Sequence, residues 1–172
     1  DDEEPLSMHE LQNLMHQLIT GGYETTQSAI NHGMWALIRF PDIADKLYED
    51  DLLLKPFVEE VLRWESPVQF LLRRTQKDVE VSGTTIPKDS MVMMGYGPAN
   101  RDESKFSCPH QFQLNREGVG AHVAFGSGSH HCPGALLGRQ EMIRSFKFLV
   151  KRIKNIKLAK PLQEPVHNFS MF

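Results

Sequence analysis

Several features that define whole classes of protein are scarce or missing in this 172-residue sequence. There are only two cysteines, Cys108 and Cys132, which is too few for the disulfide framework of a small secreted protein. No apolar run reaches transmembrane length, and the acidic start at residues 1–4 is unlike the basic start of a secretory signal. Repeats and low-complexity segments are not evident. We therefore expect a cytoplasmic protein with no membrane segment in this chain.

The charge balance is close to neutral and gives no general case for a nucleic-acid partner. Nineteen basic residues stand against 22 acidic ones, for a formal net charge of -3. Hydrophobic residues make up 40% of the sequence, which is ordinary globular composition. A chain of this length is long enough to build one domain with a real core.

The first structural signal is a long helix over residues 7–39. Ser7 and Glu10 have the spacing of a capping box, and apolar residues follow at helical intervals. Its middle is unusual, because Gly21-Gly22 weakens the helix directly before Glu24 and Thr25. Two interpretations stay open: a glycine pair used for packing with a solvated glutamate, or a local opening lined by an acid and hydroxyl groups.

The middle of the chain changes from helix to strands. Pro56 precedes a helix at 57–64, where Glu60 and Arg63 lie three residues apart and so share a face. Period-two patterns and turn residues then predict a small sheet over 68–95, with strands at 70–73, 79–81 and 91–94. A long loop follows at 100–118.

The stretch 125–134 organises the rest of the chain. Gly126 and Gly128 permit a tight bend, and Pro133 suits the first turn of a helix predicted over 133–154. Cys132 is thereby predicted at the helix N-cap, where free N–H groups stabilise a thiolate. A thiolate held in this way is a good ligand for a soft or borderline metal. Phe125 offers an apolar cover for the sulfur.

Three other interpretations of this loop stay open. The pattern Gly126-x-Gly128-x-x-His131 half matches a dinucleotide fingerprint but lacks the third glycine. The second interpretation is a zinc cluster, although no Cys-x-x-Cys pair supports it. Its ligands would come from His122, His130, His131 and Cys132. The third is that the cysteine is simply a small buried residue.

The run Phe125-Gly126-x-Gly128-x-His130-x-Cys132-x-Gly134 resembles the heme-binding loop of the cytochrome P450 family. The continuation at 138–141 is similar too, with Gly138 where alanine is more usual. The resemblance implies a mainly α fold with a small β-sheet, as the C-terminal portion of the cytochrome P450 fold, truncated at the N-terminus. A missing N-terminal part is then expected to carry the rest of the family's fold.

The resemblance also implies a cofactor site for heme b, the iron protoporphyrin IX. Cys132 would be the axial thiolate ligand of the iron, while Arg73 and His130 would contact the propionates; Arg74 is expected at the surface. The remaining cofactor-binding positions of the motif are Phe125, Gly126 and Gly134.

Three further sets of residues take roles from the resemblance. Glu24 and Thr25 match the acid and threonine that bring protons to dioxygen, and are the expected catalytic residues. An ion triad that fixes the fold around the heme loop would consist of Glu60, Arg63 and Arg116. The positions expected to line a substrate pocket are Leu18, Gly21, Val68, Phe70 and Leu71.

The implied function is that of a heme-thiolate monooxygenase, which inserts one atom of dioxygen into an apolar organic substrate. Electrons would come from NAD(P)H through a ferredoxin or flavodoxin-type donor. A basic side of the last helix would suit such an acidic partner, although such runs are often only solvated; it comprises Arg144, Lys147, Lys151, Arg152, Lys154 and Lys157. The alternative is a non-catalytic heme-binding fragment, or a heme-free one acting as a partner subunit or remnant.

Overall fold

The computed structural model describes residues 5–160, so the acidic start at 1–4 lies outside the described residues. The helices are α1 (Met8–Arg39), α2 (Pro41–Glu49), α3 (Leu54–Trp64), the short α4 (Tyr96–Ala99) and α5 (Ala135–Arg152). The strands are β1 (Phe70–Arg74), β2 (Val79–Val81), β3 (Thr84–Ile86) and β4 (Met91–Gly95). The predicted class, mainly α with little β structure, is confirmed.

Helix α1 begins at the capping box that the sequence predicts. The Ser7 hydroxyl accepts a hydrogen bond from the Glu10 N–H at 3.3 Å, and the Glu10 carboxylate accepts one from the Ser7 N–H at 2.8 Å. Its second half is packed in the core through Ala29, Ala36 and Leu37. Its first half instead exposes its large apolar side chains to solvent, and these include Met8, Leu11, Leu14, Met15, Leu18 and Ile19.

The hydrophobic core lies where α1, α2, α3 and α5 meet. Phe57 of α3 and Phe146 of α5 are fully buried there, with their ring centres 5.0 Å apart in an edge-to-face arrangement. Gly33 of α1 lies against the Phe146 ring so closely that a Cβ would collide with it. The absence of a side chain at this glycine therefore lets α1 approach α5.

Helix α3 starts earlier than the pattern predicts. The structure begins it at Leu54 rather than at Phe57, because Pro56 lies in the first turn, where its missing N–H needs no partner. Every residue from Phe57 to Trp64 is buried, including Glu59, Glu60 and Arg63. Buried charges of this kind need partners, and α3 therefore carries most of the ionic contacts around the site.

The small β structure expected over 68–95 is present, and its strands form two separate antiparallel pairs. Strand β1 pairs with β4, with Phe70 opposite Gly95 and Arg74 opposite Met91. Strand β2 pairs with β3. The sequence pattern does not predict β3, because its two threonines show no apolar alternation. The β1·β4 pair is the one that reaches the functional site.

None of the helices within residues 5–160 combines the length and the apolar character that crossing a bilayer requires.

Candidate cofactor and active site

A cavity opens between α1, α5, the loop at 122–134 and the β1·β4 pair. Its volume is about 180 Å³, and it is continuous with further space that opens to solvent. Both Cys132 and Phe125 line it, together with Gly21 and Thr25 of α1. The structure thus brings together two sequence segments that are more than a hundred residues apart.

The loop is shaped by its two glycines. Gly126 and Gly128 both have φ of 71°, a region that favours glycine. The Gly126 N–H donates to the Val123 carbonyl at 2.8 Å, which makes the first turn. The Cys132 N–H then donates to the Phe125 carbonyl at 2.9 Å, so the loop closes on itself. The cysteine is held from its backbone with its side chain at the cavity wall.

The predicted N-cap position of Cys132 is wrong. Helix α5 begins at Ala135 and its N-cap is Gly134, so neither Cys132 nor Pro133 belongs to the helix. The Cys132 carbonyl accepts the Ala135 N–H at 3.2 Å in a separate turn that precedes the helix. At its other end α5 stops at Arg152 rather than at residue 154. A Cβ on Gly134 would lie only 3.8 Å from Cys132 Sγ, so this glycine lies beside the sulfur.

Helix α1 contributes lining residues to the cavity at intervals of four residues. Gly21, Thr25 and Ala29 all line the cavity, and Thr26 joins them. The Thr25 hydroxyl donates to the Gly21 carbonyl at 2.7 Å, while the helix runs without a break through the glycine pair. The helix backbone is therefore not opened at this point, and the Thr25 hydroxyl makes a side-chain bond inside a continuous helix. Glu24 is exposed and is not among the lining residues.

The remaining pocket positions divide into two groups. Val68 and Leu71 line the cavity, whereas Leu18 and Phe70 do not, and Leu18 is 56% exposed. Leu18 lies in the exposed first half of α1, where no described residue covers it.

The two cationic candidates also lie at the cavity. Arg73 on β1 and His130 in the loop both line it. Arg74, the next residue on the strand, forms an exposed ion pair with Asp89 at 3.3 Å. The alternation of strand side chains explains this split, since neighbours face opposite ways. Arg73 forms no ion pair with a described residue, so its positive charge is available at the cavity.

The ion triad is assembled between α3 and the long loop after β4. Arg63 donates to both oxygens of Glu60 at 2.7 Å, and Arg116 donates to the same carboxylate at 3.1 Å. Both Glu60 and Arg63 are 0% exposed. Arg63 also donates to the carbonyls of Asn100 and Pro109, which fixes the long loop after β4 on α3. These bonds satisfy the buried charges completely.

A second ionic cluster, centred on Glu59, is missed by sequence reasoning. His122 donates to Glu59 at 3.0 Å, and Arg139 of α5 donates to it at 2.6 Å. Burial alone would raise the pKa of Glu59, but the hydrogen bonds from His122 and Arg139 outweigh it and lower the pKa to about 2. The Ala124 N–H donates to His122 Nδ1 at 3.2 Å, so Nε2 carries the proton that Glu59 accepts.

Asn100 joins the same region through its buried amide. Its Nδ2 donates to the Ser66 hydroxyl at 2.8 Å, and its Oδ1 accepts the Val123 N–H at 2.7 Å. The end of α3, the loop after β4 and the start of the cysteine loop therefore meet at one side chain. Neither Asn100 nor Glu59 carries a local signal, because their partners lie far away in the sequence.

Tyr96 also lines the cavity, directly after β4, whereas Val92 and Met94 of that strand do not. Two other cavity residues could have been found from periodicity. Gly138 and Met142 are four residues apart on α5 and both line the cavity.

The zinc interpretation finds no support among residues 5–160, where no three metal-binding side chains come close enough to hold an ion. His122 is instead committed to Glu59. The other cysteine, Cys108, is exposed and away from the cavity.

The basic side of α5 is partly neutralised. Lys147 pairs with Asp51 at 2.7 Å and lowers the pKa of that carboxyl, and Lys151 lies 3.6 Å from the same group. Lys151 also donates to the Tyr48 carbonyl. Arg144 makes no ion pair with a described residue. The surface keeps a positive character, but two of its lysines are tied to α2 and the turn after it.

The comparison with known families agrees with this geometry. The family model described as cytochrome P450 matches residues 1–170. This chain belongs to the cytochrome P450 family. The predicted family is thereby confirmed.

Individual relatives are bacterial cytochromes P450. The chain is 38% identical over 173 residues to a methyl-branched lipid omega-hydroxylase of Mycobacterium tuberculosis, covering 99% of this chain and 40% of that protein. It is also 38% identical to the cytochrome P450 CYP107DY1 of Priestia megaterium, over 99% of this chain and 41% of the relative.

Solved structures of the family match the fold closely. Cytochrome P450 CYP109Q5 from Chondromyces apiculatus aligns with a TM-score of 0.89 at 37% identity, covering 93% of this chain and 41% of the other. The chain of CYP109E1 from Bacillus megaterium in complex with testosterone aligns with a TM-score of 0.91 at 29% identity, over 98% of this chain and 47% of the other. This chain therefore spans less than half of the relatives that it matches.

Proposed function

We propose that this chain is the heme-thiolate part of a monooxygenase that inserts one atom of dioxygen into an apolar organic substrate. The observation that carries the proposal is the cavity that Cys132 lines together with Thr25 and Gly21. Membership of the cytochrome P450 family supports monooxygenase chemistry. The chain spans about 40% of the length of the curated relatives. We therefore propose the monooxygenase activity for the whole protein, of which this chain would be the heme-thiolate part.

The residues around the cavity fit heme b. Cys132 offers a sulfur ligand for iron, Gly134 leaves bare backbone next to it, and Gly126 lines the same cavity. Arg73 and His130 supply positive charge or hydrogen-bond donors for the two carboxylates of the porphyrin. Bound in this way, heme would supply the redox chemistry that activates dioxygen, with electron density from the thiolate.

Thr25 and Glu24 have separate tasks in the proposed proton supply. The Thr25 hydroxyl lies at the cavity and is held by the Gly21 carbonyl at 2.7 Å. Turning away from that carbonyl would let it donate a proton into the cavity. Glu24 is exposed on the neighbouring position, so it would collect protons from solvent and pass them toward Thr25.

The apolar walls favour an apolar substrate. Val68, Leu71, Ala29 and Met142 supply lining without charge, and the polar groups of the cavity are few. Leu18 and Phe70 are proposed only as outer positions, since they do not line the cavity itself.

The electron supply is proposed to come from NAD(P)H through a ferredoxin or flavodoxin-type donor. The basic side of α5 supports an acidic partner through Arg144, Arg152 and Lys157, which form no ion pair with described residues. Lys147 and Lys151 would first have to leave Asp51.

A second candidate function is heme binding without turnover, or a heme-free role as a partner subunit. The observation that favours it is the exposed first half of α1, which leaves the apolar side chains near the cavity open to solvent.

The first experiment asks whether Cys132 binds the heme iron. The chain is reconstituted with heme, reduced and treated with carbon monoxide. We expect the thiolate-type Soret shift in the wild type and in the control Cys108→Ser, whose thiol is exposed and outside the cavity. Cys132→Ser should lose the shift. A Soret shift that survives in Cys132→Ser would contradict Cys132 as the ligand. A featureless visible spectrum in the wild type would show that the chain binds no heme and would favour the heme-free role.

The second experiment separates turnover from simple binding. With NADH and a ferredoxin system, Thr25→Ala should bind heme normally but release more peroxide per NADH consumed. Thr20→Ala is the matched control, since its hydroxyl makes the same kind of bond to the His16 carbonyl at 2.9 Å on the exposed part of α1. Equal coupling in both variants would remove Thr25 from the proton supply, and peroxide without product in the wild type would favour binding alone.

A further inference from the structure

Three polar side chains line the cavity without a partner from another part of the chain. Arg73 donates only to the carbonyl of its neighbour Leu72, at 2.9 Å. The His130 ring and the Tyr96 hydroxyl make no hydrogen bond within residues 5–160. Arg74 shows the contrast, because it is paired with Asp89. Polar groups that face a cavity and lack internal partners are available to a ligand.

The β1·β4 pair determines that Tyr96 faces the same way as Arg73. The Tyr96 N–H donates to the Gln69 carbonyl at 2.9 Å, which extends the ladder by one residue beyond Gly95. Side chains alternate along a strand, so positions 69, 71 and 73 share a face with their partners 96, 94 and 92. Of these six positions Leu71, Arg73 and Tyr96 line the cavity, whereas Leu72 on the other face does not.

The hydroxyl of Tyr96 lies next to the cysteine loop. A Cβ built on Gly126 would be 3.8 Å from Tyr96 Oη and 3.7 Å from the His130 carbonyl oxygen. The bare glycine thus leaves the tyrosine hydroxyl and the His130 segment on either side of an open space. The ring is half-buried and its backbone is fixed to β1, so few rotamers remain to be frozen when a ligand arrives.

We propose that Tyr96 is a third anchor for the carboxylates of the porphyrin, beside Arg73 and His130. The inference rests on the proposed heme site. Arg73 supplies positive charge from the sheet, and the Tyr96 hydroxyl donates a hydrogen bond from beside Gly126. A hydrogen bond to an ionised carboxylate is stronger than one between neutral groups. Tyr96 is therefore a cofactor-binding residue that no motif of this sequence includes.

The test compares two porphyrins that differ only in their carboxylates. The chain without heme is titrated with iron protoporphyrin IX and with its dimethyl ester, and affinities are read from the Soret band. We expect Tyr96→Phe to weaken binding of the free acid by about 3- to 10-fold and to leave the ester unchanged. Arg73→Gln should behave in the same direction. Tyr48→Phe, on α2 outside the cavity, is the control and should change neither affinity.

The outcomes separate this inference from the proposed heme site. Because the Tyr96 hydroxyl bonds to no described residue, Tyr96→Phe should melt at the wild-type temperature. If it loses affinity equally for both porphyrins, the ring acts through packing and the anchor is disproved. Wild-type affinity for the free acid in Tyr96→Phe disproves it as well. Failure of the wild type to bind either porphyrin would overturn the heme site and this inference with it.

Discussion

The guanidinium of Arg139 lies over the ring of Phe125, with Cζ 4.4 Å from the ring centre. The same guanidinium reaches both carboxylate oxygens of Glu59, at 2.6 and 3.1 Å. A planar cation is suited to both contacts at once, since its edge donates in a fork while its face stacks on an aromatic ring. One side chain of α5 thereby connects α3 with the residue whose carbonyl holds Cys132.

Arg139→Lys should destabilise the chain although it keeps the charge. Lysine replaces the fork by a point charge and loses the stack on Phe125, so we expect a loss of about 1–2 kcal/mol in the free energy of unfolding. Urea denaturation measures it. The control is Arg74→Lys at the exposed pair with Asp89, which should stay within about 0.5 kcal/mol of the wild type. If both variants behave alike, Arg139 has no special role.

The Glu59 cluster should make stability depend on pH in the acid range. Its folded pKa of about 2 lies below the usual 4.5, so the unfolded chain takes up the proton first. The stabilisation is therefore fully present above pH 4.5 and is lost as the pH falls toward 2. The difference in the free energy of unfolding between wild type and Glu59→Gln should shrink over this interval. A constant difference would mean that Glu59 is not the group that titrates.

Two glycines in helix interiors should respond to alanine in opposite directions. A Cβ on Gly138 would make ordinary contacts, 3.8 Å from Thr26 Oγ1, so Gly138→Ala should stabilise the chain by about 0.5–1 kcal/mol through helix propensity. At Gly33 the same methyl collides with Phe146, and overpacking should cost about 1–3 kcal/mol. Thermal unfolding of both variants checks this. Stabilisation by Gly33→Ala would contradict the close approach of α1 and α5.

Neutralising the centre of the ion triad should be among the most damaging single changes. Glu60→Gln leaves Arg63 and Arg116 buried without a counter-charge, at a cost of about 3–5 kcal/mol. The yield of folded protein and urea denaturation report the loss. Asp42→Asn removes a carboxylate from an exposed pair with Lys46 and should change stability by less than about 0.5 kcal/mol. A mild effect of Glu60→Gln would show that water relieves the triad.

Local signals in the sequence predicted α1 and the bend of the cysteine loop. The capping box at Ser7 and the positive φ at Gly126 and Gly128 depend on residues within a few positions of each other. The sequence predicts the start of α5 at residue 133, because proline is compatible with a first helical turn. In the structure a separate turn from Cys132 to Ala135 precedes the helix, which begins at Ala135. The local sequence is compatible with both a helix that starts at Pro133 and a turn followed by a helix at Ala135, so it does not decide between them.

The tertiary part of the site could not be read from residue patterns alone. Glu59 meets partners 63 and 80 residues further along the chain, and no local pattern distinguishes it from its neighbour Glu60. The pairing of Arg63 with Glu60 was accessible because the two lie one helical turn apart. Tyr96 follows the last residue of β4, where period-two patterns end, so no local pattern assigns it to the cavity.

Helix α1 is one continuous element with two environments, a solvated first half and a second half in the core. Amide protons near Met8 and Leu11 exchange with solvent when the first turns fray. Those near Ala36 and Leu37 exchange only when the packed helices separate. Hydrogen–deuterium exchange along this single helix would accordingly change steeply in rate, and the glycine pair at 21–22 lies where the rapid regime should give way to the slow one.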